Sequence, residues 1–361
     1  MTAPATPWPG APPDTGTETA PPRAGHDAAG LRDRLEAAVD AADAPDAVFA
    51  ASRGGHRVVC AGGTAPPGPV PRQDLRYEIG SATKAFTGLL LAALIDSGPL
   101  TGREPAAAYL GPGRGRAAPD AVTLGHLITH TSGLPCLPAG FYARALPGWR
   151  TNPYARYPAP RVIDAFLRYR PRHRPGTRWR YSNFGVAVLG HALAAATGTP
   201  WEDLLTDRVL RPLGLDGTAL NATGAHTDAV GHTKDGERPV PAFDAGGFQA
   251  AGAVRATPHD LLTFLEAHAD PGGSVLAGAL RAVRRPVLRR GLGHRHVHTV
   301  SWFRHPADGG PMYFHSGATL GQQAFIGFRP DTGTALAAVC TRRFRPNDPF
   351  TAAAYAFLSE Q

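Results

Sequence analysis

Lysine is almost missing from this chain. Of 37 basic residues only Lys84 and Lys234 are lysine; the rest are arginine. Arginine in proteins stays protonated, whereas a desolvated lysine can give up its proton. A lysine kept against this bias is therefore a candidate for chemistry that arginine cannot do. Cysteine is scarce too: Cys60, Cys136 and Cys340 are odd in number, far apart and without metal or redox spacing, and read as buried or incidental thiols. No apolar run approaches the ~18 residues of a membrane span. The longest, AFTGLLLAALI, fits a buried helix, so no membrane partner is expected. The N-terminal stretch lacks the basic start and continuous apolar core of a secretory signal, which makes the cytoplasm the expected location.

Glycine and proline are abundant, at 43 and 36 residues. Part of that excess sits in residues 1–28, which have no hydrophobic periodicity and too little apolar surface to offset the entropy of ordering, and read as a disordered tail. A net charge of +8 and a pI near 9.8 would suit a polyanion. The arginines are scattered, however, with local clumps such as RYRPRHRPGTRWR, and no nucleic-acid-binding motif accompanies them; no nucleic-acid partner is expected.

Leu31, Leu35 and Val39 fall on one helical face. DAVFAAS and HRVVCAG follow as two strands joined by the turn RGG, then a short third strand, RYEI, and the helix SATKAFTGLLLAALIDSG. TLGHLITH, PRVIDAFLRY, GVAVLGHALAAATG, WEDLLTDRVLRPLG, TPHDLLTFLEAHA and SVLAGALRAVRRP read as helical stretches. HVHTVSWF, GPMYFHSG, QQAFIGFRP and TALAAVCT read as successive strands, and FTAAAYAFLSE as a closing helix. Strands at both ends with helices between predict one sheet built from both termini. The α/β lobe is expected over 29–98 and 251–361, with a mainly helical lobe, 99–250, inserted.

Three motifs carry chemistry. In YEIGSATKAFTG, Lys84 lies one helical turn beyond Ser81 on the same face. Burial of that helix would disfavour the ammonium and lower the lysine toward a usable base, while the helix N-terminus offers N–H groups to a developing oxyanion. Nine serines and two lysines give roughly 0.05 such pairs by chance; alone, the pair reads equally as a capping serine beside a snorkelling lysine. In WRYSNFG, Tyr181 reads as a phenolic acid/base and the Asn183 amide as orienting substrate and Lys84, or else the motif is a capping turn over a packed aromatic. In FHSGATLG, His315, Ser316 and Gly317 offer a small-residue strand edge for substrate, and the Ala318 N–H joins the Ser81 N–H as an oxyanion hole, unless this is only a glycine-containing strand end.

Taken in order, Ser-x-x-Lys, Tyr-Ser-Asn and His-Ser-Gly resemble the serine β-lactamase and penicillin-binding-protein family, in its class C and DD-peptidase-like branch. LITHTSGLP, EDLLTDRVLRPLGLDGT and GGFQAAGAVRATPHDLLTFL are similar to that branch as well, over roughly residues 30–358. The resemblance implies an α/β fold with an antiparallel sheet flanked by helices and an inserted helical lobe. It makes Ser81 the acylated nucleophile, Lys84 its activator and Tyr181 the proton relay, with no metal and no organic cofactor. His315 stands where many β-lactamases and cell-wall peptidases carry lysine, as in the branch that resembles family VIII esterases, D-amino-acid peptidases and biosynthetic acyltransferases. A mostly neutral imidazole anchors a carboxylate weakly. The expected substrate is a small-molecule or peptide-like ester or amide, cleaved by water, with acyl transfer to an amine or alcohol as the alternative and ligand binding without turnover as the third reading.

Rival sites are weaker. There is no Gly-x-Ser-x-Gly elbow. His126 and His130 are spaced i, i+4 without the glutamate of zinc peptidases, and read as scaffold. His294, His296 and His298 share a strand face as incidental histidines. Ser132 lacks a lysine partner. Phe141, Tyr142 and Trp149, in the loop between motifs, are expected either to line an acyl pocket or simply to pack.

Overall fold

The computed structural model describes residues 28–111, 121–148, 152–170, 172–224, 226–290 and 296–360. All of the expected tail but Ala28 lies outside them, as do Trp149 and His294. In chain order the strands are β1 (Ala47–Arg53), β2 (His56–Gly62), β3 (Tyr77–Glu78), β4 (Arg255–Ala256), β5 (Pro286–Arg290), β6 (His296–Thr299), β7 (Phe303–Ala307), β8 (Gly310–Ala318), β9 (Gln323–Arg329) and β10 (Thr334–Cys340). β3 and β4 pair with each other. The other eight form one antiparallel sheet in the order β2-β1-β10-β9-β8-β7-β6-β5, so strands from the two ends of the chain meet where β1 pairs with β10.

The pleat sorts the strand residues onto two cores. Phe49, Phe325, Leu336 and Ala338 face the helices Ala28–Ala41 and Pro349–Ser359. Val48, Ala50, Ile326 and Ala337 face the other way, into the larger core that contains the helices Thr83–Asp96 and Pro258–Ala269. β9 and β10 are buried at every position, as strands covered on both faces must be. The Thr83–Asp96 helix is apolar all round and buried from Thr83 to Leu94, which is how an ammonium-bearing side chain comes to lie inside the protein.

Several elements differ from the sequence reading. RYEI shortens to β3, outside the large sheet, because its partner β4 comes from far along the chain. HVHTVSWF breaks into β6 and β7, where Trp302 N–H donates to Thr299 Oγ1 at 3.0 Å and closes a turn. β5 is unforeseen: the helix there stops at Val283, and Pro286 opens a strand that RRPVLRR gives no alternation to announce. Among the described residues, no helix is long and apolar enough to cross a membrane.

Candidate active site

Ser81 lies in a single 3-10 turn, Gly80–Ala82, that leads into the Thr83–Asp96 helix. Gly80 has φ +50°, and a Cβ there would sit 2.6 Å from the Ala318 carbonyl oxygen. A Cβ on Gly317 would sit 1.9 Å from the Ile79 carbonyl oxygen and 2.7 Å from the Ser81 nitrogen. Two glycines facing each other thus let β8 press its backbone directly against the serine turn. In the β8–β9 ladder Thr319 N–H donates to Gln322 O at 2.9 Å. Because antiparallel residues alternate, the Ala318 N–H points to the opposite edge, away from β9 and toward the serine turn.

The Lys84 side chain is 1% exposed. Its Nζ lies 3.1 Å from Ser81 Oγ and donates to the Ala251 carbonyl at 2.8 Å. That carbonyl is delivered by the segment after Phe248, which is laced to the helix: Thr87 Oγ1 donates to Ala250 O at 2.6 Å and Thr83 Oγ1 accepts from Val254 N–H at 3.1 Å. Burial pulls the lysine down to about 7. A neutral amine with one hydrogen committed to Ala251 can turn its lone pair to the serine.

Tyr181 OH donates to Ser81 Oγ at 2.8 Å, and Lys84 Nζ sits 5.1 Å from the Tyr181 ring centre. Burial pushes the phenol well above its ordinary range, so it remains a proton donor. In the second motif a helix cap and a serine-facing phenol stand side by side. Ser182 caps the Asn183–Thr197 helix, accepting from Gly185 N–H at 2.8 Å, while Tyr181 just before it points at the serine. Asn183 does not bond Lys84, whose second partner is the Ala251 carbonyl. Instead Asn183 Nδ2 donates to Tyr154 OH at 3.4 Å, and Oδ1 is buried without a hydrogen-bond partner among the described residues.

His315 is 4% exposed and its Nδ1 donates to the Ser316 carbonyl at 2.8 Å. Burial, then the neighbouring Lys84, drops it to about 3, so the ring carries no charge at neutral pH. Ser316 and Ala318 are exposed.

Two hollows meet at Ser81. One, about 140 Å³, is walled by Tyr154, Asn183, Phe243, Phe248 and Leu320. The other, about 370 Å³ and wider at the mouth, is bordered by Tyr181, Phe303, His315, Ser316 and Phe344. Among the described residues, neither lining contains lysine or arginine. Of the loop aromatics weighed for a pocket or for packing, Phe141 and Tyr142 line neither hollow. Phe141 is buried behind the wall, 5.1 Å from the Tyr154 ring and 5.7 Å from that of Phe248, and Tyr142 is exposed. Tyr154, Phe243, Phe248 and the Ala251 carbonyl were missed, because nothing local marks a residue that reaches the site only after long-range folding.

The rival residues have structural places. Ser132 is fully buried and its Oγ accepts from Leu134 N–H at 3.3 Å in a turn. His126 completes a capping box, its Nδ1 accepting from Thr123 N–H at 3.1 Å. His296 Nδ1 lies 2.7 Å from His305 Nε2, and the His298 ring stacks on Trp179 with centres 4.3 Å apart.

Residues 31–361 match the family model described as Beta-lactamase. The chain is 30% identical over 294 residues to "Penicillin-binding protein 4" of Amycolatopsis lactamdurans, covering 73% of this chain and 71% of that one. It is 26% identical over 323 residues to a "Beta-lactamase" of Pseudomonas fluorescens, covering 81% and 86%. A solved class C β-lactamase superposes with a TM-score of 0.77 at 20% identity, over 92% of this chain and 97% of that one.

Proposed function

Since the chain belongs to the β-lactamase family of serine hydrolases, we propose that it cleaves an uncharged ester or amide through an acyl-enzyme on Ser81. The observation that carries this reading is the convergence of Lys84 Nζ and Tyr181 OH on one serine oxygen, at 3.1 and 2.8 Å. Neutral Lys84 takes the Ser81 proton as Oγ attacks the carbonyl carbon, and the Ser81 and Ala318 N–H groups receive the developing oxyanion. Tyr181 gives its proton to the leaving alcohol or amine and recovers one from the Lys84 ammonium. Water, activated by the same pair, then attacks the acyl-enzyme and frees Ser81.

The leaving group departs on the side where its proton donor stands, which assigns it the hollow bordered by Tyr181, Phe303 and Phe344. The acyl group takes the aromatic hollow, where Asn183 Oδ1 offers an acceptor to an N–H or O–H of the substrate. With His315 neutral and no cation in either lining among the described residues, a substrate carboxylate finds no counter-charge. Esters without a carboxylate are thus favoured over penicillins. The larger hollow, at about 370 Å³, also supports a second reading, in which a bound amine or alcohol replaces water as acceptor.

The test is intact-protein mass spectrometry after exposure to p-nitrophenyl esters from acetate to octanoate and to a fluorescent penicillin, for wild type and Ser81→Ala, with and without added amine. An ester adduct absent from Ser81→Ala and decaying in water is expected. Decay only with amine would make the protein a transferase, and adducts that persist in Ser81→Ala would sink the assignment of the nucleophile.

A further inference from the structure

We propose that His130 is the positioning residue that aims Tyr181, by holding the backbone on both sides of it. This rests on the reading of Tyr181 as the donor to the leaving group. The His130 carbonyl accepts from Arg180 N–H at 2.8 Å, and His130 Nδ1 accepts from Ser182 N–H at 3.2 Å. The two residues flanking Tyr181 are therefore tied to one histidine, one through its backbone and the other through its ring. The same ring packs against the phenol, with centres 4.6 Å apart and planes tilted by 42°.

The backbone at His130 is built for this grip. It has φ +58°, a left-handed conformation that is strained for a residue with a Cβ. In a continuing helix its carbonyl would serve the residue four places on. Instead, just past the Leu124–Ile128 helix, it turns out of the helical path and reaches Arg180. Next to it the Thr131 carbonyl accepts from Gly176 N–H at 2.8 Å, so the approach to the Tyr181 motif is pinned to this turn as well. Because Nδ1 accepts a backbone N–H, it carries no proton; the grip needs the neutral ring. Burial, with Lys84, His315 and His298 nearby, keeps it neutral.

Aim matters because the Tyr181 hydroxyl must reach both Ser81 Oγ and the departing atom. A displacement of about 1 Å can cost 10²-fold in such a step. A misaimed phenol hurts a poor leaving group, which needs the proton, far more than p-nitrophenolate, which does not. The discriminating quantity is the ratio of Ser81 acylation rates with an alkyl ester and the p-nitrophenyl ester of the same acid. His130→Gly relieves the left-handed strain and keeps the carbonyl but deletes ring and Nδ1. His130→Asn tolerates the same φ and returns an acceptor near the Nδ1 position.

His130→Gly is expected to lose about 100-fold on the alkyl ester and only a few-fold on the p-nitrophenyl ester, with KM little changed. His130→Asn should recover most of the ratio, and in a Tyr181→Phe background His130→Gly should lower it no further. Equal slowing of both esters, no recovery in His130→Asn, or a full further loss in Tyr181→Phe would overturn the proposal. Should His130→Gly fail to fold, His130→Gln, whose amide lies one carbon farther out, replaces it. A lowered ratio in Gln but not Asn supports the grip, and equal ratios overturn it. A wild-type protein that is acylated by neither ester would overturn the acyl-enzyme reading and this inference together.

Discussion

At the scale of single residues, the unusual feature is a cation placed where charge is unwelcome. Lys84 is 1% exposed, and loss of water disfavours its ammonium by more than the Ala251 carbonyl and the Tyr181 ring restore. Its value of about 7 gives the reaction a direction in pH: the base form grows as pH rises, so acylation should climb through about pH 7 and level off above it. Tyr181, pushed upward by burial, adds no falling limb in that range. Lys84→Arg keeps the positive charge but cannot form the free base, and should lower acylation by about 10²–10⁴-fold. Stopped-flow or mass-spectrometric acylation rates from pH 5.5 to 9 check both outcomes; a flat profile in wild type, or a brisk Lys84→Arg enzyme, would remove lysine from the role of base. This much was legible in the sequence, because a lysine in an arginine-rich chain and its spacing from Ser81 are both local facts. The Ala251 carbonyl was not legible, since every residue has a carbonyl and only folding selects this one.

Between elements, the site depends on how closely β8 approaches the serine turn. Gly317 has backbone where any side chain would go, so Gly317→Ala must move either β8 or the turn. The expected result is a lower Tm and an acylation rate down by about 10²–10³-fold, the size of a lost oxyanion donor. Ser316→Ala, one residue earlier on the exposed side of the same strand, should be mild by comparison. Calorimetry and single-turnover acylation on the two variants decide it; equal effects would mean that β8 serves substrate contacts rather than the approach. The glycine could be read from the motif as a small-residue edge, but not the reason for it, because Ile79 and Gly317 are remote in sequence. β5 failed for a related reason: an arginine-rich segment at the sheet edge carries little apolar alternation, so nothing in the sequence marks the end of the preceding helical pattern. The aromatic wall failed because Tyr154 and Phe243 lie outside regular elements, their ring centres brought 5.5 Å apart only by the tertiary fold.

At the scale of the whole molecule, strand signals clustered near both ends announced one sheet, while the seam joining the ends had no local signature. That seam, β1 against β10, is locked by Arg342, which donates to Asp43 Oδ2 at 2.7 Å, to the Ala42 carbonyl at 3.1 Å and to Asp348 Oδ1 at 3.2 Å. Asp348 is fully buried at its side chain and also caps the Pro349–Ser359 helix, accepting from Phe350 N–H at 3.2 Å. One guanidinium therefore ties the end of the first helix, the end of β10 and the start of the last helix. Removing one partner of a buried ion pair strands the other, at about 3–5 kcal/mol, whereas removing both charges costs far less. Arg342→Leu should accordingly lower Tm by several degrees, and adding Asp348→Asn should return part of the loss although a second native residue has gone. Acylation per folded molecule at 25 °C should stay within roughly twofold of wild type in both, because the Ser81 turn carries none of these contacts. The site is joined to them through Gln323 of β9, which lines the wider hollow and donates to the Arg342 carbonyl and to Asp348 Oδ2, each at 3.0 Å. Thermal melts alongside active-site titration test the separation: a double variant less stable than the single one would show that Asp348 is not the stranded charge, and a parallel fall in acylation would show that the seam reaches the serine turn through β9 and β8.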